Sequence, residues 1–159
     1  MSFLRVLTLA LSFAVGLLAA QGVVADSLAT PMIKFAENSD GGGDTCGLPL
    51  ETSRVDFRSD DHGCVNDQMT YFRLENAPSA TNFRLESEKC DGSTQEWYFQ
   101  LKTYINPVST GWVSIPSLVS AAEGEIVVRG VMLVNKKINT SVPTEGKLSC
   151  VDIKRSPLP

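Results

Sequence analysis

The chain has one histidine, four cysteines and two tryptophans among 159 residues. With His62 alone, a catalytic triad or a histidine-rich metal site has almost no material to draw on. Basic residues are in deficit: 14 Lys and Arg face 18 Asp and Glu, for a net charge of −4 and a pI near 5.0. Such a chain is poorly suited to gripping a phosphate backbone, so no nucleic-acid partner is expected. The cysteines at 46, 64, 90 and 150 include no CxxC pair, which argues against a closed zinc site. No long amphipathic helix is visible. No second apolar run of spanning length follows the first one.

That first run is an export signal by its three-part pattern. Arg5 supplies a short positive start, 6–20 are uncharged and apolar, and Val23-Val24-Ala25 offers a cleavage site. The expected organisation is a signal peptide over 1–25, giving a secreted or periplasmic protein with no membrane span after its removal. Losing Arg5 leaves a net charge of −5, unevenly spread. Residues 26–100 carry 14 acids and 6 bases, whereas 101–159 carry 4 acids and 7 bases. Unless the fold mixes these charges, one face is acidic.

An exported chain meets oxidants, so an even cysteine count reads as two disulfides. Four cysteines allow three pairings, and spacing does not choose among them. The pairing expected here is Cys46–Cys64 as a local loop and Cys90–Cys150 as a long-range clasp. Residues 26–45 are weakly patterned and end in Asp40-Gly-Gly-Gly-Asp44. They read as a flexible lead-in. A phosphate loop would need a following Lys-Ser or Lys-Thr, which is missing.

From 46 to 159 the pattern is that of a single β-domain. Candidate strands are 54–58, 69–75, 82–87, 96–104, 111–115, 125–135 and 146–153. Val55 and Phe57 share a face, as do Phe83 and Leu85, and Trp97, Phe99 and Leu101. Such alternation marks half-buried strands. Asn76-Ala-Pro78, Asp91-Gly92, Asn106-Pro107 and Glu145-Gly146 punctuate the gaps. The fold class expected is all-β, a Greek-key β-sandwich stapled by two disulfides. Asp56, Arg58, Arg73, Arg84, Glu86 and Lys102 fall on polar strand faces, where cross-strand charge pairs are expected.

The stretch Cys64-Val-Asn66-Asp67-Gln-Met-Thr70-Tyr71 resembles the core signature of βγ-crystallin-like domains. Their calcium motif reads Asn/Asp, Asn/Asp, any, any, Ser/Thr, Ser. Asn66, Asp67 and Thr70 match the first, second and fifth positions, while Tyr71 departs at the sixth. The resemblance covers about residues 46–87. A weaker echo lies at 105–110, where Asn106 and Ser109 match the second and fifth positions. Two such units would make a pair of Greek keys. The resemblance implies Ca²⁺ as a ligand of Asn66, Asp67 and Thr70, with Asp60 and Asp61 adding negative charge nearby. Without the ion, the same residues form a polar turn bonded to its own backbone.

No catalytic residues are assigned. His62 sits between Asp61 and Gly63, and no nucleophile elbow accompanies it. Glu86 and Glu88 are two apart on one strand, where they would repel each other and not flank a sugar cleft. Trp97, Tyr98, Tyr104 and Trp112 could stack on sugars or pack the core. Asn139-Thr140-Ser141 is a glycosylation sequon in a eukaryotic secretory pathway. The expected function is binding to another exported protein, as an inhibitor or immunity-type factor. Its contact loops would be 91–95 or 106–111, and aromatic and charged anchors would hold the partner. A secreted toxin or effector of the same resemblance, and a carbohydrate-binding surface module, are the alternatives.

Overall fold

A computed structural model describes residues 29–59, 62–88, 90 and 96–156. The expected signal peptide, Asp60 and Asp61, and the candidate loop 91–95 lie outside them. The structure is all-β. Ten strands form two antiparallel sheets: β1 Met32–Ala36, β2 Thr45–Pro49, β3 Ser53–Asp56, β4 Tyr71–Glu75, β5 Thr81–Glu86, β6 Trp97–Thr103, β7 Val113–Ser114, β8 Ile126–Val128, β9 Val131–Ile138 and β10 Cys150–Arg155. The first sheet runs β2-β1-β4-β7 and the second β3-β10-β5-β6-β9-β8. A short 3-10 turn covers Pro116–Val119. Among the described residues no helix is long and apolar enough to cross a membrane.

The first strands correct the reading of 26–45 as a flexible lead-in. Met32-Ile-Lys-Phe-Ala alternates, and β1 pairs with both β2 and β4, so it is interior to its sheet. Ile33 and Phe35 are fully buried. The glycines that suggested a linker instead shape a hairpin loop. The Glu37 N–H donates to Asp44 O at 3.0 Å, and the Asn38 N–H to Gly42 O at 3.1 Å. Gly41 and Gly43 adopt φ of +86° and +74°, a region that side chains disfavour. The expected strand 125–135 is also corrected. Gly130, at φ +89°, turns it into the β8–β9 hairpin.

Each half of the chain lends a strand to the other's sheet. β1 and β2 form a hairpin, β3 crosses to the second sheet, and β4 returns beside β1. β5 and β6 repeat the hairpin, β7 crosses to the first sheet beside β4, and β10 returns between β5 and β3. The inward side chains of both sheets meet in one core containing Phe35, Phe72, Phe83, Leu85, Trp97 and Phe99. Phe72 of the first sheet meets Phe83 of the second edge-on, with centroids 5.6 Å apart. Two disulfides close the chain, Cys46–Cys64 and Cys90–Cys150. Each ties one sheet to a neighbouring segment, β2 to the loop before β4 and β10 to the loop after β5.

Candidate functional site

The three residues of the calcium-like motif sit where two connecting segments cross. One is the approach to β4, residues 62–70; the other is the approach to β10, residues 139–149. Asp67 adopts a left-handed backbone, φ 57°. Its N–H donates to Leu148 O at 3.3 Å, and the Ser149 hydroxyl donates to its Oδ1 at 3.2 Å. Lys147 Nζ lies 3.6 Å from Asp67 Oδ2. Thr70 is buried. Its Oγ1 accepts the Gly146 N–H at 3.0 Å, and its hydroxyl reaches Gln68 O at 3.5 Å. Asn66 Oδ1 is buried with no hydrogen-bond partner. Asn66 and Asp67 line a concavity of about 290 Å³ together with Arg58, Glu88, Glu96 and Lys147; Thr70 is not part of its wall.

Calcium takes six to eight oxygens. Here both Asp67 oxygens have protein partners, one of them a cation, and the Thr70 hydroxyl faces the opposite segment. As they stand, the three residues do not make a calcium cage. Nor does the echo at 105–110 join them. Ser109 Oγ accepts the Asn76 N–H at 2.9 Å, and Thr110 Oγ1 accepts the Leu74 N–H at 3.0 Å, so that loop buttresses the end of β4. The segment that does meet 66–70 is 146–149. Its sequence signal was slight: Ser149 stands just before a strand, as Thr70 does, without the preceding Asn or Asp.

His62 is held structurally. Its Nε2 is 2.7 Å from Asp56 O, and its Nδ1 accepts the Cys64 N–H at 3.0 Å, which fixes the proton on Nε2. The ring rests against Phe57 at 5.4 Å. Glu86 is only 1% exposed and is paired with Arg84 at 3.1 Å and Arg54 at 3.6 Å. It joins β5 to β3 across β10, while Glu88 lies past the end of β5 at the rim of the concavity. Among the described residues no group of three or more His, Cys, Asp or Glu is placed to hold a metal. Asn139 is exposed, and its Oδ1 accepts the Ser141 N–H at 3.1 Å.

The aromatic candidates separate sharply. Trp97 is fully buried, and its indole N–H donates to Pro143 O at 3.3 Å, so it is core. Tyr98 lies beneath the Arg84 guanidinium at 3.7 Å. Tyr104 is 44% exposed. Trp112 is half-buried on the first sheet's outer side, with the Arg73 guanidinium 4.8 Å from its ring centre. Gly41 makes room for that ring, since a Cβ there would fall 2.4 Å from Trp112 Nε1.

Gly47, Lys34 and Arg73 are in register across β2, β1 and β4. Lys34 and Arg73 both pair with Glu75, at 2.9 Å and 2.6 Å. The hydrogen bond and charge of Lys34, with Arg73 adding to them, hold the Glu75 carboxyl below its ordinary range. Since Gly47 has no side chain, a depression of about 280 Å³ opens between Lys34, Arg73 and Trp112. Tyr71 precedes Arg73 by two residues on β4 and shares its outward face. Neither a family model, a curated protein sequence nor a solved structure matches the chain.

Proposed function

We propose that this protein is an exported binding module that engages another exported protein through the outer face of the β2-β1-β4-β7 sheet. The observation that carries the reading is the placement of Trp112, Arg73 and Lys34 around one depression, with Tyr71 on the same outward face of β4 as Arg73. Trp, Arg and Tyr are the side chains that most often dominate binding energy at protein interfaces. The depression is prepared before any partner arrives, because Gly41 and Arg73 fix the Trp112 ring from two sides. Lys34 and Arg73 line the depression and share Glu75, while the β1–β2 loop beside Trp112 carries the exposed acids Glu37, Asp40 and Asp44.

The same proposal takes the fold as a Greek-key β-sandwich of the βγ-crystallin-like kind. Two hairpins, each followed by a strand lent to the other sheet and a strand returning beside the first, support it. The motif at 66–70 also lies on the approach to a returning strand.

The test is capture from the exported fraction with immobilised 26–159, identification of the captured protein, and binding measurements on the purified pair. Trp112→Ala and Arg73→Ala should each weaken binding by about tenfold or more, while Lys154→Ala on the second sheet should leave it unchanged. A partner that binds the Trp112 variant as tightly as the parent sinks the reading. Saturable sugar binding that is lost in Trp112→Ala would replace it with the carbohydrate-binding one.

A further inference from the structure

The sequon Asn139-Thr140-Ser141 has no part in the sheet-face reading. Of the chain's seven asparagines, Asn139 alone has Ser or Thr two residues on. The fold places it just past the end of β9, in a tight turn. The Asn139 N–H donates to Glu96 O at 2.9 Å, and the Val142 N–H donates to Asn139 O at 3.1 Å. One residue further, Pro143 O accepts the indole N–H of the buried Trp97 at 3.3 Å. The backbone of the turn is thus anchored on both sides, yet Asn139, Thr140 and Ser141 are all exposed. Within the turn, the Ser141 N–H donates to Asn139 Oδ1 at 3.1 Å. That bond orients the side-chain amide through its oxygen. Among the described residues the amide nitrogen, Nδ2, has no hydrogen-bond partner, so the fold makes no use of it. A sugar chain is bulky and strongly hydrated, and a fixed turn with outward side chains can carry one without disturbing the core.

We propose that Asn139 is the acceptor of an N-linked oligosaccharide. The donor is an oligosaccharide on a lipid pyrophosphate, and a membrane transferase supplies the catalysis. The bond from Nδ2 to C1 of the first sugar forms, and the bond from C1 to the phosphate oxygen breaks. The lipid pyrophosphate leaves, and one amide proton passes to a base of the transferase. No oxidation or reduction is involved. The inference rests on the export part of the proposed function and narrows it to a secretory pathway that holds such a transferase. It does not rest on the sheet face. The turn follows a strand of the second sheet, and none of its residues lines the Trp112 depression on the first, so sugar and protein contact belong to different surfaces.

The experiment is expression of the full chain in a eukaryotic cell that makes N-glycans, once with its own leader and once with 1–25 replaced by a leader of that host. Intact mass is measured before and after treatment with a peptide N-glycosidase. The secreted protein should be heavier than its polypeptide, and the enzyme should remove the excess. Peptide mapping should then find the amide of residue 139 converted to a carboxylic acid. Asn139→Gln and Ser141→Ala should each abolish the excess mass, while Thr140→Ala should keep it. Ser141→Ala leaves the Asn139 amide and the backbone bonds of the turn in place, so it reports on the sequon even where Asn139→Gln folds poorly. Secretion of the host-leader chain at bare polypeptide mass overturns the proposal. So does excess mass that survives both Asn139→Gln and Ser141→Ala. Retention of the native-leader chain inside the cell counts against the export reading alone, because the host-leader chain still decides whether Asn139 is glycosylated.

Discussion

Glu75 accepts from Lys34 and Arg73 at once, and its lowered pKa ties the first sheet's outer face to pH. A carboxylate depressed below its unfolded value of 4.5 stabilises the fold above that pH, and the benefit is lost as pH falls through the folded value. Asp56 behaves alike: burial pushes its pKa up, but hydrogen bonds and charge from Arg58 outweigh this and lower it. Melting curves between about pH 6 and pH 2 should therefore show a smaller acid loss of Tm for Glu75→Gln than for the parent. An identical acid limb in both would mean the Glu75 ion pairs add nothing. Side-chain roles were only partly legible at this scale. Sequence offered Trp97 and Trp112 as equals, because alternation says which residues share a face but not which face is covered. Trp97 alternates with Phe99 and Leu101 and is core. Trp112 owes its half-exposed position to Gly41, which is 71 residues away and unpredictable from spacing.

At the scale of elements, the strands with clear alternation were legible in the sequence: 54–58, 69–75, 82–87 and 96–104 correspond to β3 to β6, with ends shifted by a few residues. What escaped was β1 and β2. β1 is five residues long, it is followed by glycines that elsewhere mean a linker, and its partner β4 is some forty residues on. The energetic consequence is large. Phe35 is fully buried and packs edge-on against Phe57 at 5.6 Å. Phe35→Ala should cost about 3–5 kcal/mol in urea-monitored unfolding. Loss of less than about 1 kcal/mol would show that β1 is peripheral. The motif at 66–70 was legible as a loop leading into a strand, but its chemistry was not. The residue that answers Asp67 is Lys147, and only the return of β10 beside β5 brings it near.

Across the whole molecule, the two disulfides differ in reach. Cys46–Cys64 closes 18 residues and Cys90–Cys150 closes 60. By loop entropy the first is worth about 3 kcal/mol and the second about 4 kcal/mol. Replacing each pair by alanines should lower unfolding free energy in that order, and a reversed order would mean that strain or residual structure governs the bridges instead. The pairing agrees with the local-loop and long-clasp expectation, although four cysteines alone could not decide it. The charge asymmetry along the sequence does not segregate by sheet, because residues 26–100 supply β1, β2 and β4 to the first sheet and β3, β5 and most of β6 to the second.

That placement of β10 has a further meaning for how the chain comes into being. Synthesis runs from the N-terminus, and β3, at the edge of its sheet, has β10 as its hydrogen-bonded neighbour. Until residues 150–155 emerge, β3 lacks its partner strand, one edge of β5 is bare and Cys90 has no partner thiol. Strand order thus acts as a completion check. A chain ending before residue 150 would lack β10, leaving β3 and one edge of β5 unpaired and Cys90 without its disulfide partner.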